Sequence, residues 1–258
     1  MKMAVCAAAL AIVLAGCGGG SGSSPAPTPP APVYPSITGN WSIAAFSAPT
    51  SSTILIGAYL SNTNGAVSGV AHILNSTCYQ LTEDVPISGT ITTAGAISLT
   101  STAVNSQTIA FTGTISGGTL SDGTYTITGG CAAGDKGTVS GYAVPSFTNT
   151  YTGTFLDPPA PAVTATVTAT QSGPSGDGTY QVSGTATFTG SPCLTSGTIV
   201  ASVISGGYFA VTISSTNGST VDFVGDITDS TGKTIQGEYL FTAGSCAGAS
   251  GSGTLSHP

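Results

Sequence analysis

His72 is the one histidine inside a predicted strand, and a Ser-His-Asp hydrolase built there would depend on it. The alternating pattern around it places His72 on the outward face of a predicted strand, and the matching position in the second repeat is Thr187. Serines are abundant, but no Gly-x-Ser-x-Gly elbow occurs on a strand-to-helix turn. We therefore interpret His72 as a surface side chain, and we expect His257 to lie in a frayed C-terminus.

Two carboxylates, Glu83 and Asp84, are adjacent in the first repeat, and paired carboxylates serve glycoside hydrolysis. Neighbouring residues of a strand point to opposite faces, so this pair would not flank one bond. A solvated loop is the better interpretation. The sequence therefore predicts no catalytic residues and a protein that is not an enzyme.

Three further carboxylates, Asp222, Asp226 and Asp229, cluster in the second repeat. Calcium prefers several oxygen ligands, so a calcium site is an alternative there. Their spacing fits no calcium-binding loop, and Asp229 begins a turn that ends at Lys233. We predict no metal site and no cofactor.

The cysteines indicate disulfides. Cys78 and Cys131 are 53 positions apart, and so are Cys193 and Cys246. Four cysteines allow three pairings, and the equal spacing selects one bond within each repeat. A zinc site is the alternative, but the chain has no Cys-x-x-Cys and few histidines to complete one.

The charge balance argues against one class of partner. The chain has ten acidic residues and only three lysines, and its formal net charge is −7. Such a chain repels phosphate backbones, so we expect no nucleic-acid partner.

The N-terminus has the features of an export signal. Lys2 precedes an apolar run from Met3 to Leu14, which is short for a membrane span. The run is followed by Leu14-Ala15-Gly16-Cys17, which resembles the lipobox of bacterial lipoproteins. The resemblance implies that residues 1–16 are removed, that Cys17 carries lipid such as palmitate, and that Gly18 favours the outer membrane. An ordinary signal peptide with a chance cysteine is the alternative.

Residues 17–35 then read as the lipidated cysteine followed by a Gly/Ser-rich and Pro-rich tether. The proline-rich half should be extended, at about 3.1 Å per residue. The tether would hold repeat 1, residues 36–145, and repeat 2, residues 150–258, away from a membrane.

Period-two alternation runs through both repeats and predicts an all-β protein without helices outside the signal. We predict eight strands in each repeat. In repeat 1 they are residues 37–46, 53–61, 66–75, 85–92, 95–101, 107–116, 120–128 and 137–144. In repeat 2 they are residues 150–156, 162–170, 179–189, 196–204, 207–215, 219–228, 233–242 and 251–256.

Short connections between these strands favour antiparallel neighbours, and eight such strands can close on themselves. We therefore predict two tandem meander barrels or strongly curled sheets, with β-sandwiches as the alternative. Asn64-Gly65, Asp122-Gly123 and Asp177-Gly178 are expected at tight hairpins. Glycines recur on the predicted inward face, where they relieve crowding at bends of a sheet.

Aromatic residues fall mostly on predicted inward positions. If a barrel held a small apolar ligand, Trp41, Tyr59, Phe111 and Tyr125 would contact it. Gly39-Asn40-Trp41, at the head of the first repeat, faintly resembles the first strand of lipocalins and avidins. The whole chain resembles uncharacterised bacterial lipoproteins with repeated Gly-Thr-Tyr…Cys-Ala-Gly hairpins.

Together these features predict a lipid-anchored outer-membrane protein of the cell envelope, facing the periplasm or the surface. Its predicted role is structural or an interaction with a protein or glycan. The alternatives are a barrel that binds a small ligand and a hydrolase of envelope polymers.

Overall fold

The computed structural model describes residues 29–80, 83–156 and 162–258. The predicted signal peptide, Cys17 and most of the predicted tether lie outside these residues. Pro32–Pro258 form one compact unit that contains two closed eight-stranded antiparallel barrels. The predicted all-β class and the two barrels are confirmed, and the sandwich alternative is excluded.

Barrel 1 is a meander in which each strand pairs with the next and the first pairs with the last. Its strands are β1 (Gly39–Ser47), β2 (Thr53–Thr63), β3 (Ala66–Ile73), β4 (Val85–Ile91), β5 (Ala96–Ser101), β6 (Gln107–Ser116), β7 (Thr119–Gly129) and β8 (Lys136–Ala143).

Barrel 2 repeats this order and closes between its first and last strands. Its strands are β9 (Asn149–Leu156), β10 (Val163–Gln171), β11 (Val182–Thr189), β12 (Ser196–Ser205), β13 (Tyr208–Ser214), β14 (Thr220–Ile227), β15 (Thr234–Ala243) and β16 (Ser250–Ser256).

The alternating apolar and polar residues of each strand point alternately into the barrel and out of it. Along β6, Ile109, Phe111 and Ile115 are buried in the core of barrel 1, while Thr112 is exposed. Val221 and Phe223 of β14 are buried in the core of barrel 2 in the same way. Burying these apolar side chains against their counterparts around the barrel drives closure.

Inward glycines let the strands bend and approach each other. Gly225 of β14 and Gly237 of β15 are directly paired. A Cβ on Gly225 would lie 2.2 Å from the carbonyl oxygen of Gln236. Any side chain there would push the two strands apart, as expected where a small barrel coils tightly.

Each barrel contains the disulfide that the cysteine spacing predicts. Cys78 is bonded to Cys131, and Cys193 is bonded to Cys246. In both bonds the loop before the fourth strand is joined to the hairpin between the seventh and eighth strands of its barrel. The repeat is therefore preserved in covalent structure as well as in strand order.

The turn predictions are confirmed in one case and wrong in two. Asn64 and Gly65 form the β2–β3 turn with positive φ at both positions. Asp122-Gly123 instead lies inside β7, at an irregularity in its pairing with β8, because the preceding turn is made by two glycines. Asp177-Gly178 belongs to the long connection between β10 and β11 rather than to a two-residue hairpin.

Candidate functional site

The tightest polar contact between the barrels joins Asn40 of β1 to the β12–β13 turn. The Asn40 side-chain amide donates to the carbonyl of Gly206 at 3.0 Å, and the Gly206 N–H donates back to Asn40 Oδ1 at 2.7 Å. Both bonds are buried. The Asn40 carboxamide thus imitates a paired strand residue, and we call this pair of bonds the Asn40–Gly206 clamp.

Close packing surrounds the clamp because glycines lie on both sides of it. A Cβ on Gly57 of β2 would lie 2.3 Å from Ser205 Oγ and 2.4 Å from the Ser205 carbonyl carbon. A Cβ on Gly206 would lie 2.5 Å from the Gly57 Cα. The two backbones can approach this closely only because neither position has a side chain.

Aromatic side chains extend the contact. The rings of Tyr59 and Tyr180 meet edge to face with centroids 6.2 Å apart, and the Tyr142 hydroxyl donates to the carbonyl of Ile227 at 3.3 Å. Tyr59 was expected inside barrel 1 as a ligand contact. It instead points outward and packs against the core of barrel 2, since its neighbours Ala58 and Leu60 take the inward positions of β2.

His72 of β3 lies beside the clamp and is only 5% exposed. Its Nδ1 is 2.9 Å from Ser205 Oγ of barrel 2, and its Nε2 is 3.3 Å from Asp84 Oδ1 in the loop before β4. The outward orientation was predicted correctly, but the surface interpretation was wrong, because barrel 2 covers this face of barrel 1.

A neutral imidazole satisfies both contacts of His72. If the Ser205 hydroxyl donates to Nδ1, the ring proton is on Nε2 and can be donated to the Asp84 carboxylate. The hydrogen-bonded line Ser205–His72–Asp84 therefore fixes the ring across the junction of the barrels. It also places one edge of the ring at the wall of a cavity.

That cavity, the inter-barrel cleft, has a volume of about 320 Å³. Its polar lining includes His72, Asp84, Asp177, Thr179 and Ser205. Its apolar lining is Leu74, Val203, Ala210 and the ring of Tyr208. Both barrels contribute, so the cleft exists only where the two repeats meet, and its volume is at the lower end of the range for small-molecule sites.

Asp177 is held in the cleft by its own loop. Its Oδ1 accepts bonds from the Ser175 hydroxyl, the Thr179 backbone N–H and the Thr179 hydroxyl. The Ser175 bond lowers the pKa of Asp177 most, and the Thr179 backbone bond and the nearby His72 lower it further, against desolvation by burial. Asp177 is consequently ionised at neutral pH.

Tyr208, the first residue of β13, forms a further part of the cleft wall. In the pairing of β13 with β14, Tyr208 lies directly opposite Asp226. Burial raises the pKa of the Tyr208 hydroxyl, and the Asp226 charge raises it further. Tyr208 is therefore a neutral donor beside carboxylates.

The barrel interiors offer much less space than the cleft. Barrel 1 encloses a cavity of about 20 Å³ lined by apolar groups, among them Trp41 and Phe111. A pocket of about 40 Å³ in barrel 2 is bordered by Phe155, Phe188 and Phe223. A single water-sized sphere already needs about 10–15 Å³ of such volume, so these aromatic residues act mainly as core.

Tyr125, also expected as a ligand contact, is held by a part-buried hydrogen-bond network in barrel 1. Its hydroxyl donates to Asp135 Oδ2 at 3.1 Å, and the Ser47 hydroxyl donates to Asp135 Oδ1 at 2.7 Å. Burial raises the pKa of Tyr125 to about 12. The network ties β7 and β1 together at one end of the barrel.

The paired carboxylates in the first repeat take separate partners. Glu83 accepts a bond from the Asn105 side-chain amide at 2.7 Å, whereas Asp84 contacts His72. The prediction that they do not act as a pair fits these contacts. The role of Asp84 beside His72 was missed, because the fold brings a loop next to a strand twelve residues earlier in the chain.

The calcium alternative gains no support from the three aspartates of barrel 2. Asp222 accepts a bond from the Thr212 hydroxyl at 2.7 Å, and Asp229 accepts backbone bonds from Thr231 and Thr234 within its own turn. Across residues 29–80, 83–156 and 162–258, no group of three His, Cys, Asp or Glu side chains could hold a metal ion.

His257 is less free than the sequence suggested. Its Nδ1 is 2.9 Å from the Asn149 side-chain nitrogen, and its ring packs edge to face on Tyr151 with centroids 5.1 Å apart. The expected fraying is therefore wrong for this residue, because the C-terminus follows β16 along the side of β9.

The Ser205–His72–Asp84 line contains the residue types of a serine nucleophile and its base. Two features oppose that use. Ser205 is only 3% exposed, and the Gly206 N–H, the next backbone donor after the serine, is already bonded to Asn40. An oxyanion needs free, directed donors of this kind, so the geometry suits binding better than acyl transfer.

Comparisons with known proteins add a structural likeness. No protein-family model matches the chain, and no curated protein matches it. A solved structure of a DUF3598 family protein of unknown function from Nostoc punctiforme aligns with 86% of this chain and 96% of its own. The identity is 10% and the TM-score is 0.28. Among the residues that the structure describes, no helix is long and apolar enough to cross a membrane.

Proposed function

We propose that this chain is a lipid-anchored protein of the cell envelope that binds a small molecule in the cleft between its two barrels, without catalysing a reaction. The barrels form the scaffold, and their junction forms the site. Under this proposal the interaction role lies between the barrels, and not in the barrel interior where a small ligand was expected from the sequence.

The observation that carries the binding role is the cleft itself. Its volume of about 320 Å³ is many times that of the pockets of about 20 and 40 Å³ in the barrels. The Asn40–Gly206 clamp and the His72–Ser205 bond hold its two sides in place. A preformed site loses less conformational freedom on binding than one that must close first.

A ligand screen by thermal unfolding tests this role. We expect one class of small polar or charged solutes to raise the melting temperature, because a ligand that binds only the folded state stabilises it. Val203→Trp should abolish the shift by filling the cleft. Val200→Trp is the matched control. Both valines are exposed on β12, Val203 at 41% and Val200 at 58%, and only Val203 lines the cleft.

The binding role would be refuted if no solute stabilises the chain, or if stabilisation survives Val203→Trp. Either result would leave the outer surfaces of the barrels as the location of any function. A shift that is lost equally in both tryptophan variants would also contradict the role of the cleft, because it would trace to β12 as a whole.

The envelope address is supported by the Leu14-Ala15-Gly16-Cys17 motif and by one disulfide in each barrel, which fit export to an oxidising compartment. Metabolic labelling with palmitate tests it. The native chain should incorporate label and sediment with membranes, whereas Cys17→Ser should do neither. Equal labelling of both would contradict the assignment, and so would unlabelled native protein.

Hydrolysis at Ser205 is the second candidate, favoured by the 2.9 Å contact between its hydroxyl and His72 Nδ1. It predicts covalent labelling of the native chain by a fluorophosphonate probe and no labelling of Ser205→Ala. We expect no labelling of either. Stoichiometric labelling that depends on Ser205 would replace the binding role with an enzymatic one.

A further inference from the structure

We propose that the inter-barrel cleft takes a small organic cation, namely a protonated amine on a short apolar body. This inference rests on the proposed binding role and adds the chemical class of the ligand. It follows from the charges, the bonding state of the polar groups and the composition of the walls.

Two carboxylates and no lysine line the cleft. Asp84 and Asp177 line the cleft, and Asp226 is paired directly with the lining residue Tyr208. Neither Lys136 nor Lys233 contributes to the lining. The His72 contact to Asp84 is the only ion-pair distance within the described ranges. Asp177 therefore has no ion-pair partner among the described residues.

Asp177 uses only one of its two carboxylate oxygens in hydrogen bonds to the protein. The bonds from Ser175 and Thr179 all go to Oδ1. In the part of the chain that the structure describes, Oδ2 accepts no hydrogen bond from the protein. Those bonds orient the carboxylate and keep it ionised, which leaves one oxygen available to accept from an ammonium group.

The rest of the cleft wall is largely apolar. Leu74, Val203 and Ala210 are apolar, and the ring of Tyr208 is half-buried. An ammonium group with short alkyl substituents would contact the carboxylate with its charge and these walls with its carbon atoms. Aromatic rings also attract such cations directly. A bare metal ion would leave the apolar walls unused, and the described residues offer no cluster of three metal-ligating side chains.

The test is calorimetric titration of the mature chain with butylammonium and propylammonium. Butanol and butyrate match the alkyl body without the positive charge, and Ca²⁺ supplies charge without the body. We expect saturable binding of the ammonium ions alone. Asp177→Asn should weaken it by about tenfold or more, since it removes the charge and retains the Oδ1 acceptor.

Asp122→Asn is the matched control. Asp122 is an exposed aspartate of β7 outside the cleft, and its positive φ is one that asparagine tolerates. It should bind butylammonium like the native chain. The same affinity in Asp177→Asn as in the native chain would overturn the inference, as would equal binding of butanol or butyrate.

Failure of this inference can be distinguished from failure of the binding role. If anions or uncharged solutes give the thermal shift that Val203→Trp abolishes, the cleft is a site and the cation class is wrong. Binding of Ca²⁺ without binding of either ammonium ion would also overturn the organic-cation class.

Discussion

Asn40 of barrel 1 and Gly206 of barrel 2 exchange two buried hydrogen bonds, at 3.0 and 2.7 Å, across 166 residues of sequence. The Asn40 carboxamide makes the two hydrogen bonds that a neighbouring strand would otherwise make to the Gly206 backbone. It satisfies both backbone groups of a turn that would otherwise be buried without partners.

Removing this side chain should loosen the junction. Asn40→Ala leaves the Gly206 N–H and carbonyl unpaired, and each buried unpaired group costs about 1–3 kcal/mol. For the two groups together we expect a loss of about 2–6 kcal/mol in the free energy of unfolding by urea. We also expect separate transitions for the two barrels. Asn149→Ala, which alters an exposed asparagine, should have little effect. A single unchanged transition in Asn40→Ala would show that the clamp does not couple the barrels.

A methyl group at Gly57 should separate the same surfaces. Its Cβ would lie 2.4 Å from the carbonyl carbon of Ser205, which cannot move without displacing the β12–β13 turn. Gly57→Ala should cost about 1–3 kcal/mol in unfolding free energy, as overpacking does elsewhere. Gly173→Ala is the control, because a Cβ there meets nothing within 4 Å.

The effects of these two changes should not add. Asn40 and Gly57 act on the same turn, so the double variant should lose less stability than the sum of the single losses. Strict additivity would indicate that the two residues stabilise independent parts of the protein.

Each disulfide should stabilise its own barrel. A bond that closes a loop of 53 residues contributes roughly 4 kcal/mol in the chain-entropy model. Replacing Cys78 and Cys131 by serine should lower the unfolding transition of barrel 1, and replacing Cys193 and Cys246 should lower that of barrel 2. Hydrogen exchange resolved by segment can assign the loss. Equal loosening of both barrels by either double replacement would contradict this assignment.

Stability should fall at high pH because buried tyrosines resist ionisation. Burial raises the pKa values of Tyr125, Tyr151 and Tyr180 from 10.0 to about 12. A raised pKa in the folded state means that the folded protein holds these protons more tightly than the unfolded chain. Their contribution is therefore complete below pH 10 and is lost as the pH rises to about 12.

Ultraviolet difference absorbance can follow this titration. Tyr125, Tyr151 and Tyr180 should ionise together with unfolding, at a pH well above 10. Tyr125→Phe should reduce the alkaline loss of stability. Ionisation of all tyrosines near pH 10 without unfolding would contradict the burial of these hydroxyls.

The barrels and disulfides could be predicted because their signals are local or repeated. Alternation along β6 and β14 identifies the inward residues, and the equal spacing of the cysteines identifies their pairs. The turn at Asp122-Gly123 was misplaced because two glycines nearby make an equally good turn, and only the register between strands decides between them.

The cleft could not be predicted, because it depends on how one barrel packs on the other. His72 and Asn40 both lie on outward positions, and alternation says nothing about what covers an outward face. The comparison of the two repeats contained one signal for the junction between the barrels. The matching positions of the second repeat carry Thr187 and Thr154, so the two residues of the junction are places where the copies differ.

The most direct test of the account is the exchange rate of the Gly206 backbone N–H, measured by nuclear magnetic resonance. The account predicts strong protection, because this N–H is bonded to Asn40 Oδ1 in a buried junction, and loss of that protection in Asn40→Ala. Rapid exchange of Gly206 in the native chain would contradict it, since the barrels would then not be held together and the cleft between them would not persist.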